Sequence, residues 1–351
     1  GLLVGVGALL VGRQAAHYRI WDGLRAMDYL ASRPDVDPKR LGCTGNSGGG
    51  TMTAYLMALD ERIAAAAPSC YITSLERLFA TIGPQDAEQN ITGQVAFGMD
   101  HADYLTLRAP RPTLMCVGTR DYFDIDGAWA SFREAKRLYG VLGHGERVEI
   151  FEYNDTHGFS QPRREAAMRW MRRWLLEKDD APAETEFPIA TDAQLQVTKT
   201  GQVLLEFPGE RTAFDFNADE ARRLEKARAA SPGDRTGERL REEVGRRLAL
   251  PANAPVVVVS GKTLVKRDGY TIDKWMLLTE PGVSVPVRLF RPTGKTSESP
   301  MVVYVGADAS VAAPGGPIEQ RVKAGESVAL VDPRGMGETT PVAPGRTGYG
   351  R

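Results

Sequence analysis

Residues 40–50 read RLGCTGNSGGG. An apolar-leaning run leads into the motif G-x-S-x-G, and a helical pattern follows over residues 51–59. This succession predicts a strand, a tight turn and a helix, with Ser47 at the turn. A serine hydroxyl becomes an effective nucleophile when a sharp turn holds it clear of the backbone beside a base. Such a turn requires small residues two positions before and after the serine, and Gly45 and Gly49 meet that requirement.

The helix predicted after the turn has a second use. Its first backbone N–H groups have no partner inside the helix, so they point at the turn and attract negative charge. The N–H of Gly48 is therefore a candidate donor to an oxyanion. The competing interpretation is an ordinary glycine-rich loop, since Gly and Ser cluster in loops. The flanking strand and helix favour the nucleophile turn.

Composition places the chain among globular proteins. Its 351 residues are 42% hydrophobic and 25% charged, with a formal net charge of -1. This balance does not favour nucleic acid or an anionic membrane as partner. The apolar start, residues 1–12, has no basic leader and is too short to span a bilayer. The chain begins with Gly, so a targeting signal could be missing, and the sequence predicts no compartment.

Between residues 17 and 177 the pattern alternates between helices and short buried strands. The predicted helices cover residues 17–32, 51–59, 127–142 and 162–177, and the predicted strands cover residues 41–43, 63–67, 113–118 and 147–153. Such alternation indicates an α/β fold, with a mostly parallel, doubly wound sheet covered by helices on both faces. In these sheets reactive groups gather at the carboxyl ends of the strands, and Ser47, Asp121 and His157 each follow a strand.

These three side chains suggest a nucleophile, an acid and a base. His157 would take the proton of Ser47 and return it to the leaving group, because imidazole titrates near neutral pH. Asp121 would orient His157 and stabilise its charged form. Asp124 and Asp126 compete with Asp121 for this role, and the alternative role for both is to cap the helix predicted at residue 127. The alternative interpretation is that His157 is a loop histidine with no catalytic role.

The middle and the end of the chain differ from this pattern. Residues 181–262 read as a linker, a hairpin over residues 194–207 and charged helices over residues 217–250. Residues 263–351 are rich in strands. The predicted strands there cover residues 263–267, 270–279, 283–290, 301–305 and 327–331, with a helix over residues 315–324, and the last two strands are predicted to be buried.

The order of these segments is unusual. A nucleophile strand in a parallel sheet normally follows several other strands, yet only one helix precedes Ser47. Residues 263–351 would supply the missing front half if the sheet were assembled from both ends of the chain, as in a circular permutation. The predicted organisation is therefore a back half (1–180), an insert (181–262) and a front half (263–351). The alternative is a fragment of a tandem protein, whose halves pair within one chain or swap between two chains as a homodimer.

Four motifs carry a resemblance to a known superfamily. They are Gly45-Asn46-Ser47-Gly48-Gly49-Gly50, Gly118-Thr119-Arg120-Asp121, His157-Gly158-Phe159 and Asp332-Pro333-Arg334-Gly335-Met336-Gly337-Glu338-Thr339. Together they resemble the α/β-hydrolase superfamily, and more narrowly its acetyl xylan esterase and dienelactone-hydrolase-like branch. Longer members of that branch carry two such domains in tandem, and residues 186–351 resemble the junction between them. Carbohydrate deacetylases of this branch have Gln where this chain has Met336 and Gly48, which leaves the substrate open.

The remaining site predictions concern donors and lining residues. The second oxyanion donor is expected near Ala307, in the turn after the strand at 301–305. Tyr122 and Trp129 follow Asp121 closely and could line a pocket for substrate. Asn46, beside the nucleophile, is a further substrate-binding candidate. His101 is expected to face the substrate from a polar lid.

The sequence predicts no metal and no cofactor. His101 with Asp86, Glu88 and Asp100 lacks the spacing of a metal site. The three cysteines, Cys43, Cys70 and Cys116, lie in or beside predicted buried strands. An odd number of cysteines in core positions is typical of packing residues, not of a disulfide framework or a metal cluster.

Three functions remain open. The leading hypothesis, which rests largely on the resemblance, is a serine carboxylester hydrolase that removes small acyl groups such as acetate from carbohydrates or similar alcohols. A serine peptidase of the prolyl-oligopeptidase kind shares G-x-S-x-G and a late histidine. Such enzymes carry a propeller domain, for which this chain shows no repeated strands. The third hypothesis is a non-catalytic or incomplete hydrolase-like domain.

Overall fold

The structure is a computed structural model that describes residues 2–230, 237–251, 258–294, 301–306 and 309–341. It divides the chain into two compact units, residues 1–232 and residues 233–351. The predicted division into 1–180, 181–262 and 263–351 stays a prediction. Within the described residues, no helix has the length and apolar character needed to cross a membrane.

The first unit contains ten α-helices and four strands among its described residues. The helices are α1 (Leu2–Leu10), α2 (Ala15–Ser32), α3 (Gly48–Leu59), α4 (Leu75–Thr81), α5 (Ala102–Thr106), α6 (Ile125–Val141), α7 (Gln161–Leu176), α8 (Asp192–Leu195), α9 (Val203–Glu206) and α10 (Ala213–Ala230). The strands are β1 (Leu41–Asn46), β2 (Ile63–Ser69), β3 (Thr113–Gly118) and β4 (Val148–Tyr153).

The four strands form one parallel sheet in the order β1-β2-β3-β4. Side chains of adjacent residues point to opposite faces of a strand. Ala66 and Met115 accordingly pack with α3 and α6 on one face, whereas Leu114 packs with Trp170 of α7 on the other. The central strands β2 and β3 are mostly apolar because both of their faces are covered, whereas the edge strand β4 contains Glu149 and Glu152. The prediction of a doubly wound α/β fold is confirmed.

The second unit has its own sheet. It contains α11 (Gly237–Arg247), β5 (Val258–Arg267), β6 (Tyr270–Glu280), β7 (Val283–Pro292), β8 (Met301–Val305), α12 (Pro317–Lys323) and β9 (Ser327–Val331). The strand order is β5-β6-β7-β9-β8, and only β8 and β9 pair in parallel. The prediction that both ends of the chain complete one sheet stays a prediction.

Two expectations about single elements are wrong. Residues 194–207 do not form a hairpin: they contain the short helices α8 and α9. Strand β8 was expected to be buried, but it lies at an edge of its sheet. One of its faces is open, with Val303 62% exposed. In both places the apolar residues meet little core, so alternation along the sequence carries less information about burial.

His101 is also placed differently from the expectation. It is 1% exposed, so it does not face the substrate from a lid, and that prediction is wrong. Its ring packs on Tyr71, with centroids 4.6 Å apart, inside the aromatic part of the core. Burial lowers the pKa of His101 to about 4, because a charged imidazole would lose its hydration there.

The glycines around Ser47 are not equally necessary. A Cβ atom on Gly45 would lie 2.6 Å from the backbone carbon and oxygen of Gly49, and one on Gly50 would collide with the carbonyl oxygen of Ser69. A Cβ atom on Gly49 would meet nothing within 4 Å. The close approach of strand and helix therefore requires glycine at positions 45 and 50, and not at 49 as the motif predicted.

This asymmetry predicts opposite effects of two alanine substitutions. Gly45→Ala should destabilise the protein by about 1–3 kcal/mol, because backbone atoms must move to admit the methyl group. Gly49→Ala should be neutral or stabilise it by up to about 1 kcal/mol, since alanine favours the helix. Urea unfolding of the two variants measures both effects. Equal destabilisation by both substitutions would contradict this packing.

The buried histidine predicts a stability that depends on pH. Between about pH 6.5 and pH 4, His101 is protonated in the unfolded chain but neutral in the folded chain. Stability should therefore fall as pH falls through this window, by on the order of 3 kcal/mol. His101→Phe should remove this component, whereas the matched change at the partly exposed His144 should not. Parallel pH profiles for wild type and His101→Phe, from urea unfolding, would refute the assignment.

Candidate active site

Ser47 occupies the turn between β1 and α3, as the sequence predicts. Its backbone has φ 59° and ψ −119°, a conformation that non-glycine residues rarely adopt. The Ser47 N–H donates to the carbonyl of Ser69 at 3.0 Å, which ties the turn to the end of β2. Strained backbone of this kind costs on the order of 1–3 kcal/mol and persists only where its surroundings hold it.

Asp121 and His157 form a hydrogen-bonded pair. The imidazole Nδ1 lies 2.9 Å from one carboxylate oxygen of Asp121 and 3.1 Å from the other. The side chain of Asp121 is 2% exposed and that of His157 is 21% exposed. Since an ionised carboxylate only accepts hydrogen bonds, Nδ1 carries the proton and Nε2 is left as a base.

The two loops that carry this pair are joined to each other. Asp121 follows β3 and His157 follows β4, and these strands are neighbours in the sheet. The Thr119 N–H donates to the carbonyl of Tyr153, and the Arg120 N–H donates to that of Asp155, both at 3.0 Å. These bonds fix the spacing between the acid and the base.

The electrostatics of Asp121 favour its ionised form. Burial opposes ionisation, but the hydrogen bond from His157, the nearby Cys70 thiol and the hydrogen bond from the Phe123 N–H outweigh it and lower the pKa of Asp121. The carboxylate is therefore charged at neutral pH, as an orienting acid requires.

A side-chain bridge brings the histidine loop to the serine turn. With its amide oriented to satisfy its neighbours, Asn46 donates from Nδ2 to the carbonyl of Gly158 and to the Ser69 hydroxyl, both at 2.9 Å. The residue before Ser47 is thus bonded to the residue after His157. These contacts engage both hydrogens of the Asn46 amide, whose predicted role in substrate binding stays a prediction.

The competing carboxylates have other partners. Asp124 accepts from Arg77 Nε at 2.9 Å and caps α6 by accepting from the Gly127 N–H at 3.0 Å. Asp126 is 81% exposed at its side chain. Among these three, Asp121 is the carboxylate that contacts His157.

The aromatic candidates are placed in two environments. Tyr122 stacks on the imidazole of His157, with centroids 4.2 Å apart, and is 40% exposed. Its ring therefore forms part of the accessible surface beside the base. Trp129 instead donates from its indole to Glu152 at 2.7 Å. Its role as a lining residue stays a prediction.

The structure describes one of the two predicted oxyanion donors, Gly48. Gly48 is the first residue of α3, so its N–H lies at the N-terminal end of a twelve-residue helix. The prediction for Ala307 lies outside the described residues.

Two residues near the pair were not singled out by sequence reasoning for this site. Cys70 follows β2 with φ 51°, and its thiol donates to the carbonyl of Gly158 at 3.5 Å. Arg163 on α7 is 1% exposed and donates to the sulfur of Cys70. A signal for Arg163 exists, since its spacing to Ala167 and Trp170 puts it on the buried face of α7.

The pair and Cys70 also form the candidate metal centre of the described residues. Ligand atoms of Cys70, Asp121 and His157 lie within 4.8 Å of one another. A metal requires thiolate, but burial raises the pKa of Cys70 to about 11, and Arg163 donates to its sulfur. The donor set therefore fits a metal poorly. All three cysteines are free.

The family comparison matches part of the first unit. Residues 11–178 match the model of the prolyl oligopeptidase family. A putative hydrolase, YtaP, of Bacillus subtilis (strain 168) is 29% identical over 172 residues, which cover 48% of this chain and 56% of that protein. The chain thus spans little more than half of this curated relative.

Among solved structures, the chain is similar to two esterases over about half of its length. A carbohydrate esterase family 15 glucuronoyl esterase from Caldicellulosiruptor kristjansonii is 19% identical, with a TM-score of 0.40 and coverage of 51% of this chain and 55% of that one. Methylesterase BT1017 is 27% identical, with a TM-score of 0.38 and coverage of 48% and 37%.

The parallel sheet, the strained serine turn and the family match all fall in the same part of the sequence. Residues 11–178 of this chain therefore resemble the prolyl oligopeptidase family, and this part of the chain has the α/β fold of the α/β-hydrolase superfamily.

Proposed function

We propose that this protein is a serine carboxylester hydrolase that releases small acyl groups, such as acetate, from carbohydrates or similar alcohols. The observation that carries the proposal is the Asp121–His157 pair, 2.9 Å apart, whose histidine loop is bonded to the turn that holds Ser47. A nucleophile, a base and an orienting acid in this arrangement are sufficient for acyl transfer.

The first half of the reaction forms an acyl-enzyme. Ser47 Oγ attacks the ester carbonyl carbon while His157 Nε2 takes its proton. The resulting oxyanion accepts a hydrogen bond from the Gly48 N–H at the start of α3. As the tetrahedral intermediate collapses, the bond to the alcohol oxygen breaks and His157 returns the proton to that oxygen. Asp121 keeps the imidazole in the required tautomer and stabilises its charged state.

The second half regenerates the enzyme. Water enters after the alcohol leaves, and His157 Nε2 takes a proton from it as it attacks the acyl carbon. Collapse of the second intermediate breaks the bond to Ser47 Oγ, which recovers its proton from His157. The products are one carboxylic acid and one alcohol, and the protein ends unchanged.

The accessible ring beside the base supports a carbohydrate as the alcohol. Tyr122 exposes 40% of its surface next to His157. A flat aromatic surface at this position can pack against the apolar face of a sugar ring.

A serine peptidase is the second candidate, and the match of residues 11–178 to the prolyl oligopeptidase family favours it. The same three side chains would cleave an amide through the same intermediates, so the site alone does not separate the two. Two chromogenic substrates do, once each rate is divided by the rate of its uncatalysed hydrolysis: a larger acceleration for p-nitrophenyl acetate than for a proline p-nitroanilide supports the esterase, and the reverse supports the peptidase.

Replacing the nucleophile is the direct test. Ser47→Ala should reduce hydrolysis of p-nitrophenyl acetate by about a thousandfold or more, because no covalent intermediate can form. A fluorophosphonate should label wild type at Ser47 and leave the variant unlabelled. Ser32→Ala, at an exposed helix end, is the control and should behave as wild type. Folded wild type that neither turns over nor labels would favour the non-catalytic alternative.

The choice of acid has a separate test. Asp121→Asn should lower kcat by about ten-thousandfold, because the amide favours the wrong imidazole tautomer. Asp124→Asn should leave kcat per labelled site within about twofold, and it should lower stability by at most about 1 kcal/mol, because the ion pair with Arg77 is lost while asparagine still caps α6. Steady-state kinetics and urea unfolding measure the two effects. A large loss of kcat in the second variant alone would assign the acid to Asp124.

A further inference from the structure

Arg163 is a fully buried cation beside the proposed site. It has the largest side chain among the residues of the described chain that are less than 2% exposed. A guanidinium that leaves water loses its hydration, which is costly unless each donor finds an acceptor. The partners of Arg163 therefore indicate which part of the structure its burial stabilises.

Most of these partners flank His157. Arg163 Nη2 donates to a carboxylate oxygen of Asp155 at 2.5 Å and to the carbonyl of Thr156 at 2.8 Å. Its Nε donates to the hydroxyl of Ser160 at 3.2 Å. One guanidinium thus holds the loop on both sides of the histidine.

The remaining nitrogen reaches a different strand end. Arg163 Nη1 donates to the sulfur of Cys70, and the Cys70 thiol donates to the carbonyl of Gly158 at 3.5 Å. Cys70 directly follows Ser69, whose carbonyl accepts from the Ser47 N–H. Arg163 is therefore linked to the serine turn through β2 as well as to the histidine loop through β4.

We propose that Arg163 is a positioning residue, which sets His157 in register with Asp121 and Ser47 by clamping residues 155–160 against Cys70. This inference rests on the proposed esterase function. Arg163 does not touch the reacting atoms, and it acts through the loop. Its loss should let the imidazole sample orientations that cannot accept the serine proton, which slows the chemical step more than substrate binding.

The geometry explains why arginine is required at this position. Four acceptors surround the guanidinium, and its planar fork presents five donors in fixed directions. The ammonium of lysine has three donors at a single point, so it can retain the charge and some of these bonds but not all. Arg163→Lys should therefore retain part of the turnover that an uncharged substitution at this position removes.

The experiment compares Arg163→Met, Arg163→Lys and Arg169→Met. Arg169 lies on the same helix but forms an exposed ion pair with Asp179 at 3.2 Å, so it controls for loss of a cation from α7. Turnover of p-nitrophenyl acetate is measured per active site, where the sites are counted as the final fraction labelled by a fluorophosphonate. This normalisation removes any loss of folded protein.

The expected result is a split between kcat and KM. Arg163→Met should lower kcat per site about 10- to 100-fold with KM within about threefold, Arg163→Lys should fall between it and wild type, and Arg169→Met should match wild type. If Arg163→Met does not fold, Arg163→Lys alone should still show lowered kcat with unchanged KM. Wild-type kcat per site in every Arg163 variant that folds would overturn the inference, because it would leave only a stabilising role.

Failure of the proposed function has a different outcome. In that case wild type and Arg169→Met would themselves fail to label and to hydrolyse the ester. That result overturns both proposals, whereas active controls with equally active Arg163 variants overturn only the positioning role.

Discussion

Backbone hydrogen bonds that continue between strand ends are the constraint on which the rest of the site depends. The Ser47 N–H donates to the carbonyl of Ser69, that of Cys70 to Cys116, and that of Thr119 to Tyr153, all between 2.9 and 3.0 Å. Each of these N–H groups belongs to the first residue after its strand. The sheet therefore dictates the positions of the loops beyond its edge, and a strained turn at Ser47 can persist because its neighbours do not move.

The charges at this edge are arranged around that framework. Asp121 and Asp155 are carboxylates at the ends of adjacent loops, and the buried guanidinium of Arg163 pairs with the second of them. Among the described residues, Asp121 forms no ion pair with an arginine and accepts instead from His157 and the Phe123 N–H. An arginine directly on Asp121 would compete with the imidazole for its oxygens. Because Arg163 pairs with Asp155 and not with Asp121, the negative charge of Asp121 stabilises His157 when the imidazole takes a proton.

Secondary structure was predicted correctly from the sequence where one face of an element is buried, because burial then repeats apolar residues at the spacing of a helix or a strand. The apolar strands β2 and β3 and the amphipathic helices α2 and α7 were predicted within a few residues, because each faces a core on a fixed side. Prediction from the sequence failed where little core exists. Val197 is 99% exposed, so the alternation that suggested a hairpin at residues 194–207 reflected no buried face. His101 shows the opposite error, since a polar residue among acidic neighbours is normally solvated, yet its ring is enclosed by Tyr71 and Tyr104.

The sequence predicted which residue types form the candidate site, but it did not predict which of these side chains contact each other. Asp121, Asp124 and Asp126 lie within six residues, and no spacing rule separates an acid that orients a histidine from one that caps a helix. Their partners separate them, because His157 approaches from β4 and Arg77 from α4, and both are distant in sequence from these carboxylates. Arg163 was missed for the same reason. An arginine in a charged helix is usually solvated, and the burial of Arg163 is tolerable because it donates to Asp155, Thr156, Ser160 and Cys70. Local sequence can thus place reactive groups at the edge of a sheet, whereas the role of each group is decided by contacts between segments that the sequence keeps apart.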